Sequence, residues 1–324
     1  MKILITGADG MLGSNLVRLL LERKHEVSVF LHPSSKSTTL EGLEIKKYIG
    51  DILKPESIEL AMGDYDAVIH AAALTNIWPN RSEIVRRVNI EGTRNMINAV
   101  LNHRIKRFIY VGSGSSVNAQ ATSNSKYAFP GAKFGLDYID SKFEALNLVL
   151  DAVKTKGLPA IAVLPTFMIG PYDSLPGSGK MILTLAQGKL KFYTGGGRNF
   201  IYVKDVAVAI ANSLEMGQIG KYYIAGNENL TYQSFFKKVA LVVNKPAPTI
   251  QIPGWIAKTV GLLGSTYGDI FKKEPLITYP IARISCENQF VESHDAVREL
   301  KMPKTSIEIA VKDCYTWFQE NGYC

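Results

Sequence analysis

The segment ITGADGMLG, residues 5–13, decides how the first part of the chain folds. Gly7, Gly10 and Gly13 stand between the apolar KILIT of residues 2–6 and MLGSNLVRLLLERK, whose apolar residues recur at helical spacing. Glycines after a first strand permit a tight turn, a close backbone approach to pyrophosphate and close helix packing. The helix N-terminus then offers free N–H groups to phosphates. The segment predicts a dinucleotide-binding turn, the alternative being a glycine turn without a ligand.

Strands and helices are predicted to alternate downstream. Strand-length apolar segments follow at 26–31, 43–50, 66–73, 106–113 and 159–165. Helical spacing marks SEIVRRVNIEGTRNMINAVLNH (82–103) and LDYIDSKFEALNLVLDAVKTKG (136–157). This alternation predicts an α/β fold, a Rossmann-type doubly wound parallel sheet covered by helices on both faces.

The pattern changes after residue 166, where GPYDSLPGSG and YTGGGRN interrupt it. A further strand and helix are predicted over 200–217 and a terminal helix over 306–322. The apolar TIQIPGWIAKTVGLLGS (249–265) is read as part of a lid or smaller domain rather than a membrane anchor. We therefore predict an NAD(P)-binding Rossmann domain at 1–166, to which 200–225 returns. Residues 167–324 mainly form an interleaved, smaller C-terminal substrate-binding region.

Composition excludes several classes of protein. The 324 residues are 46% hydrophobic and 20% charged, with a net charge of +8 spread along the chain, which argues for a basic surface rather than nucleic-acid binding. The N-terminus lacks the features of a signal peptide, and no apolar run reaches the roughly 18 residues of a membrane span. Cys286, Cys314 and Cys324 lack metal-ligand spacing, which predicts free thiols in the cytoplasm and no metal site.

Tyr138 and Lys142 form the only Tyr-x-x-x-Lys in the chain. At positions i and i+4 of a predicted helix they share one face. An ammonium near a phenol lowers the phenol's pKa from about 10 towards the range useful for general acid–base catalysis. Because one such spacing is expected by chance in a chain of this composition, the pair alone is either catalytic or an ordinary surface pair.

The surrounding motifs decide between these readings. The TGxxGxxG turn, GDI (50–52), HAAA (70–73), VNIEGTRN (88–95) and YxxSK (138–142) resemble the extended short-chain dehydrogenase/reductase superfamily, in its NAD(P)-dependent epimerase/dehydratase family. The resemblance extends through FIYVKDVA (200–207) to WFQENGY (317–323). HPSSKSTTLEGLEIKKYIGDILKPESI (32–58) is most similar to dihydroflavonol-4-reductase-like and hopanoid-associated sugar epimerase-like proteins.

The resemblance implies a cofactor site. Its expected members are Gly7, Gly10, Met11, Leu12 and Gly13 at the phosphates, Asp51 and Ile52 at the adenine, Ala71, Ala72 and Ala73 as a wall, Asn89 as a buried support, Lys142 at the nicotinamide ribose, and Pro165 and Thr166 at the nicotinamide. Asp51 as a helix cap and Asn89 as a purely structural residue are the alternatives.

The resemblance also implies a serine that orients the substrate oxygen. Within YVGSGSSV (110–117), Ser113 is the expected residue and Ser115 the second choice, while Gly112 replaces a serine of the usual pattern. Ser115, Met168 and Arg198 are expected at the substrate. Leu164 stands where relatives have Arg and Asn199 where many have Asp, and Arg198 is either a diphosphate ligand or an exposed turn residue.

The loop after the second strand bears on the choice of cofactor. A carboxylate there would accept from the ribose 2′-hydroxyl and repel a 2′-phosphate, and no acid occurs from Val27 to Thr39. His32, Ser34, Ser35 and Lys36 offer donors instead, although related NADP-dependent reductases carry Arg in place of His32. We predict NADP(H) rather than NAD(H).

The leading functional hypothesis is an NADP(H)-dependent carbonyl reductase or alcohol dehydrogenase acting on a small-molecule ketone or aldehyde. A nucleotide-sugar 4-epimerase is the alternative and an inactive dinucleotide sensor is less favoured. A 4,6-dehydratase is disfavoured, since Gly114 and Ser115 occupy the positions of its acid pair. IPGWIAKTVGLLG is taken to suit a less polar substrate. By analogy we expect a homodimer through helices at 82–102 and 136–155; the substrate-defining loops lie after 114, after 166 and at 250–290.

Overall fold

The computed structural model describes residues 1–117 and 130–324, in which strands and helices alternate over the first half. The strands are β1 Lys2–Thr6, β2 Glu26–Leu31, β3 Lys46–Ile49, β4 Ala67–His70, β5 Arg107–Val111, β6 Ala160–Pro165, β7 Phe167–Ile169, β8 Phe192–Thr194, β9 Gly197–Tyr202, β10 Tyr222–Ala225, β11 Glu228–Thr231, β12 Ile250–Ile252 and β13 Asn288–Gln289. The α-helices are α1 Met11–Glu22, α2 Pro55–Ala61, α3 Glu83–Arg86, α4 Gly92–Asn102, α5 Asp137–Lys156, α6 Lys180–Ala186, α7 Val203–Asn212, α8 Tyr232–Val243, α9 Gly254–Phe271, α10 Tyr279–Ser285, α11 His294–Glu299 and α12 Ile307–Glu320.

Seven strands form one sheet in the order β3-β2-β1-β4-β5-β6-β10. Every neighbouring pair in it is parallel. The strand order reverses between β1 and β4, and in doubly wound sheets this switch opens a crevice at the carboxyl ends of the strands. The predicted doubly wound parallel sheet is confirmed, and β10 adds a seventh strand beside β6.

Alternating side chains of the strands supply two hydrophobic clusters, one on each face of the sheet. From β1, Ile3 and Ile5 join Leu16 of α1 in one cluster. Leu4 points the other way and joins Val100 of α4 in the second cluster. Because both faces of the sheet are covered, its strands are nearly continuous apolar runs. Such runs are easily recognised in the sequence, so these strands could be predicted.

Two central strands end earlier than predicted. β4 ends at His70 and β5 at Val111, so Ala71–Ala73 and Ser113 belong to loops at the carboxyl edge of the sheet rather than to strands. The helix predicted over 82–103 is interrupted by a π-helical turn, Arg87–Glu91, between α3 and α4. Such turns are frequent at functional sites, and this one carries Asn89.

The C-terminal half packs onto the same core. β9 pairs with β7, β11 and β13. Phe200 of β9, Phe235 of α8 and Phe318 of α12 belong to the cluster that also contains Ile3 and Leu16. In residues 1–117 and 130–324, no helix combines the length and apolarity needed to cross a bilayer.

The apolar segment 249–265 forms β12 and the first part of α9, and its orientation differs from the expectation. α9 turns the small residues Ala257, Gly261 and Gly268 inwards, whereas Trp255 is 72% and Leu263 is 66% exposed. The large side chains that were taken to suit a less polar substrate therefore face away from the body of the protein.

Candidate active site

The glycine turn is shaped by contacts within the chain on one side and is open on the other. Gly7 has φ +70°, and a Cβ there would lie 2.6 Å from the Ala72 nitrogen; a Cβ on Gly13 would lie 2.1 Å from the Gly7 oxygen. A Cβ on Gly10 would meet nothing nearer than that same oxygen, at 3.6 Å. Gly10 thus faces open space directly before Met11 and Leu12, the first residues of α1. This cradle and the helix N-terminus fit the phosphates of a dinucleotide.

The turn is joined to the helix behind it by a buried chain of hydrogen bonds centred on His70, which sequence reasoning missed. The Thr93 hydroxyl donates to the Asn89 carbonyl (2.7 Å), so its oxygen accepts from His70 Nε2 (3.2 Å). His70 Nδ1 then accepts from the Thr6 hydroxyl (2.8 Å). Burial lowers the pKa of His70 to about 3, with a smaller contribution from the charge of Lys142. The imidazole is therefore a neutral structural link.

Asn89 holds the catalytic helix in place. Its amide accepts from the Leu74 nitrogen (2.9 Å) and donates to the Leu74 oxygen (3.0 Å) and to Ser141 Oγ (2.9 Å). The Ser141 hydroxyl in turn donates to the Tyr138 carbonyl (3.0 Å). Asn89 therefore fixes α5 against the segment that leaves β4, and its amide has no free group directed at a ligand.

The loop after β2 contacts the glycine turn through Asp9. The Ser35 hydroxyl donates to the Asp9 carboxylate, and His32 Nδ1 lies 2.7 Å from Ser34 Oγ. His32 and Lys36 are exposed. The loop after β2, which has no acid from Val27 to Thr39, thus contacts an acid of the glycine turn 26 residues away, a contact that a local pattern does not reveal.

Asp51 and Ile52 follow β3 in a tight turn. Asp51 Oδ1 accepts from the Leu53 nitrogen at 2.9 Å, and Lys54, not Asp51, is the N-cap of α2. Ile52 is 8% exposed, and its carbonyl accepts from Asn95 of α4 at 2.9 Å. The turn packs Ile52 against α4, while the Asp51 carboxylate orders the backbone beside it.

Tyr138 meets Ser113 where β5 and α5 converge. α5, which carries Tyr138, packs against the turn Gly114–Ser116 that follows Ser113. Burial raises the pKa of Tyr138, while the neighbouring Ser113 hydroxyl and the positive charge of Arg198 act in the opposite direction. Ser113 and Arg198 are thus the groups that lower the pKa of Tyr138. The sequence predicted this effect from Lys142, and that prediction is wrong.

Lys142 is directed at the end of β5. Its Nζ donates to the Val111 carbonyl at 2.9 Å and lies 5.3 Å from the centroid of the Tyr110 ring. The residue is 4% exposed, and burial lowers the pKa of its ammonium to about 8. A buried lysine one turn from the tyrosine is costly to maintain, which makes it a candidate functional residue.

Both candidate serines lie in one short turn. Ser113 Oγ lies 2.8 Å from Ser115 Oγ and accepts from the Ser115 nitrogen at 3.3 Å. A Cβ on Gly114 would lie 3.2 Å from Thr166 Cγ2 and 3.3 Å from the Pro165 oxygen. The loops after β5 and β6 therefore touch, and they bring Ser113, Ser115, Pro165 and Thr166 to one edge of the sheet.

Two departures from the family pattern are in contact. A Cβ on Gly112 would lie 2.3 Å from Leu164 Cδ2. Leu164 is fully buried in β6, so its side chain fills the space next to Gly112. The glycine at one position and the leucine at the other are thus coupled by packing.

Asn199, a third departure, supports the loop after β6. Its Oδ1 accepts from the Thr166 hydroxyl (2.8 Å) and the Asn227 nitrogen (2.9 Å). Its Nδ2 donates to Asn229 Oδ1 (2.8 Å). The hydroxyl of Thr166 is thereby committed to the protein, and its backbone nitrogen donates to the Ala225 oxygen at 2.9 Å.

Arg198 is held in β9 rather than exposed in a turn. Its Nε donates to the Tyr232 hydroxyl at 2.8 Å, and its guanidinium lies 4.8 Å from the Phe167 ring centroid. Met168, also expected at the substrate, is the half-buried neighbour of Phe167 in β7. Residues 118–129, part of the predicted substrate loop after 114, lie outside the described residues.

This fold and site place the protein in the extended short-chain dehydrogenase/reductase class. A model of the NAD dependent epimerase/dehydratase family matches residues 3–226, and the chain belongs to that family. The resemblance stated from the motifs is confirmed.

Three similar proteins illustrate the range within this class. The chain is 29% identical to a protein of Synechocystis sp. that carries the provisional name dihydroflavonol 4-reductase, over 98% of this chain and 95% of that protein. It is 28% identical to sterol demethylase protein B of Methylococcus capsulatus over 99% of both chains. The solved structure of a nucleoside-diphosphate-sugar epimerase from Pseudomonas aeruginosa shares the fold, with a TM-score of 0.81, 24% identity and coverage of 100% and 99%.

Proposed function

We propose that the protein is an NAD(P)H-dependent reductase of a ketone or aldehyde, with Tyr138 as the general acid. The packing of α5, which carries Tyr138, against the turn that follows Ser113 supports this proposal, because it brings a proton donor near a second hydroxyl at the carboxyl edge of the sheet. Burial raises the pKa of Tyr138 and so keeps the phenol protonated at neutral pH. A protonated phenol is the form needed to donate to the oxygen of a carbonyl under reduction.

The remaining roles follow from position. When bound, the dinucleotide supplies the hydride. The N–H groups of Met11, Leu12 and Gly13 hold its phosphates, and Lys142 binds the nicotinamide ribose next to Tyr138. Ser113 stabilises the substrate oxygen as negative charge develops on it, with Ser115 as its hydrogen-bonded neighbour. The remaining proposed contacts are Asp51 and Ile52 at the adenine, Ala71, Ala72 and Ala73 along the cofactor, Pro165 and Thr166 at the nicotinamide, and Met168 at the substrate.

Two observations support reduction over other chemistry in this family. The two relatives described above, each aligned over nearly the whole chain, bear names of enzymes that act on flavonoid or sterol compounds rather than on nucleotide sugars. Gly114 and Ser115 follow Ser113, so the acid pair of a dehydratase is missing. A nucleotide-sugar 4-epimerase is the second candidate, favoured by Arg198, whose positive charge reaches Tyr138 and would suit a diphosphate.

The proposal is tested by comparing the amount of alcohol formed with the amount of cofactor oxidised. Purified protein is incubated with NADH or NADPH and a panel that includes steroid ketones, flavonoid ketones and aliphatic aldehydes. We expect loss of absorbance of the reduced nicotinamide, with one alcohol formed per cofactor oxidised. Conversion of a UDP-sugar without net change of cofactor establishes the epimerase instead and refutes the reductase.

Two sets of side chains act in opposite directions on the preference between NADP(H) and NAD(H). The donors of His32, Ser35 and Lys36 favour the 2′-phosphate of NADP(H), as the sequence predicted, whereas the Asp9 carboxylate bound to Ser35 opposes it. We propose that Asp9 reduces the NADP(H) preference by accepting from a 2′-hydroxyl. Asp9→Ser should raise the ratio of NADPH to NADH affinity about tenfold, the effect of roughly 1.4 kcal/mol. A ratio that does not change in fluorescence titration excludes this role.

We further propose a cytoplasmic homodimer that pairs the helical segments 82–102 and 136–155. Ile84, on the outer side of α3, is 50% exposed. All three cysteines are unpaired, which suits a reducing compartment. Sedimentation of the wild type and of Ile84→Asp tests the interface: a monomeric wild type, or a variant that remains dimeric, rejects it.

A further inference from the structure

The most unusual surface of the protein is the outward face of α9, which we call the α9 face. It consists of large apolar side chains that are 46–72% exposed: Trp255, Leu262, Leu263, Tyr267, Ile270 and Phe271. At about 1.5 Å per residue, the 18-residue helix extends this face over roughly 27 Å. Contiguous apolar surface of this kind marks an interaction site.

The orientation of α9 is built into its inward side. A Cβ on Gly264 would lie 2.2 Å from the Ile277 oxygen, and one on Gly261 would lie 2.6 Å from the Ala282 Cβ. A Cβ on Gly268 would lie 2.9 Å from Trp78 Nε1. Only very small residues fit against the body of the protein here, so α9 cannot rotate to bury its large side chains.

Further exposed apolar side chains flank α9 in the chain. Phe192 of β8 pairs in register with Ile250 of β12, the strand that leads into α9, and these side chains are 48% and 54% exposed. Leu276, just after the helix, is 99% exposed.

Exposed lysines outnumber exposed acids in the segments that form this surface. Lys258 lies on α9, Lys272 and Lys273 follow its last residue, and Lys189 and Lys191 precede Phe192; the acids are Asp269 and Glu274. The whole chain carries +8. A helix with aromatic and aliphatic residues on its outer side and lysines near both ends has the composition of helices that lie in the interface of a bilayer with anionic lipids.

The α9 face is also close to the candidate active site. α9 packs on α10, whose Ile284 forms a buried cluster with Phe134 and Ile139, and Tyr138 packs against this cluster. α10 therefore lies between α9 and the proposed proton donor.

We propose that the α9 face docks the protein on the surface of an anionic lipid bilayer, with Trp255, Leu263, Ile270 and Phe271 entering the interface and the lysines contacting lipid phosphates. The helix lies on the bilayer and does not cross it. Docking stands without the proposed reductase activity; its consequence, delivery of an apolar carbonyl compound from the bilayer, rests on that activity.

The test is flotation with vesicles of phosphatidylcholine, alone or with about a quarter phosphatidylglycerol. The wild type should float with the anionic vesicles and be released by high salt, as expected for an electrostatic contribution. The triple variant Leu263→Gln, Ile270→Gln, Phe271→Gln should lose at least tenfold in partitioning. The matched control is Leu60→Gln, Leu175→Gln, Leu241→Gln, which removes three leucines that are 80–89% exposed elsewhere, and it should float like the wild type.

The outcomes separate clearly. Absence of wild-type flotation with anionic vesicles, or equal flotation of both triple variants, overturns the proposal. Self-association of the wild type that the α9 triple variant abolishes, without vesicle binding, assigns the face to a second copy instead. Because flotation needs no turnover, a protein that floats but reduces no carbonyl refutes the proposed function and leaves docking intact.

Discussion

Two helices of this protein reverse the usual distribution of polar and apolar side chains in opposite ways. α5 buries polar groups: Lys142 is 4% exposed and Ser141 is fully buried. α9 exposes apolar ones: Trp255 is 72% and Leu263 is 66% exposed, while glycines form its buried side. Both arrangements cost free energy, since an ammonium loses its hydration and apolar surface stays in water. Local rules that are broken at a cost indicate sites of function.

The largest effect is expected at the proton donor of α5. Tyr138→Phe should lower kcat about 10³-fold, because the general acid is removed while the ring still packs. Tyr110→Phe is the matched control: Tyr110 is 1% exposed, and its hydroxyl has no hydrogen-bond partner among residues 1–117 and 130–324. Steady-state kinetics and cofactor titration of the two variants check this. Near-normal turnover by Tyr138→Phe would remove the tyrosine from the mechanism.

Replacing Lys142 should lower activity and raise stability. Lys142→Met is expected to lower kcat/KM about 10²-fold and to increase the free energy of unfolding at pH 7 by up to about 3 kcal/mol, since a pKa of about 8 replaces one near 10.5. The burial penalty is complete below pH 8. It declines as pH rises towards 10.5, where the unfolded chain also loses the proton.

Urea unfolding of wild type and Lys142→Met at pH 7 and pH 10 measures this gain. Lys142→Arg keeps the charge and should show no stabilisation. If wild type and Lys142→Met differ in free energy of unfolding by the same amount at pH 7 and pH 10, burial of the Lys142 ammonium does not destabilise the protein.

His70 tests whether a buried titratable group near α5 acts only through structure. His70→Asn should destabilise the protein by about 2 kcal/mol at pH 7, because the bonds to Thr6 and Thr93 are disturbed. The folded pKa of about 3 lies below the ordinary 6.5, so the wild type is fully stabilised above pH 6.5 and loses stability as pH falls towards 3. Denaturation from pH 7 to pH 4 should show this loss in the wild type and not in the variant.

The smallest effects compare neighbours on α9. Gly264→Ala should cost about 1–2 kcal/mol, because its Cβ would collide with the Ile277 backbone oxygen. Leu263→Gln should change the free energy of unfolding by less than about 0.5 kcal/mol, as expected for an exposed position. Thermal unfolding of both variants measures the two changes in stability. A larger loss of stability for Leu263→Gln than for Gly264→Ala would mean that the leucine is covered.

Patterns within one segment predicted the fold well. The bounds of β1 and β2 agree with the sequence, and Tyr138 and Lys142 lie on one helix after Ser113, because strand runs and helical spacing are local properties. The hydrogen bond from Lys142 to Val111, the contact of Asp9 with Ser35 and the chain through His70 could not be predicted. Each joins segments that meet only after the strands have paired.

The orientation of α9 was not predicted. Large apolar residues face inwards in most helices, whereas those of α9 are exposed. Ala257, Gly261, Gly264 and Gly268 recur at intervals of four, three and four residues, which is the spacing of one helical face. This stripe of small residues was the signal for close packing, and it indicates which side of α9 is buried.

The contact between Gly112 and Leu164 limits which residues position 112 can hold. Leu164 Cδ2 lies 2.3 Å from the place of any Cβ at residue 112, so a serine there and this leucine conformer exclude each other. Leu164 is fully buried, so it would have to change its conformation inside the core to admit a larger residue. The backbone that leads from β5 into the turn of Ser113 is therefore tied to the conformation of one side chain in β6.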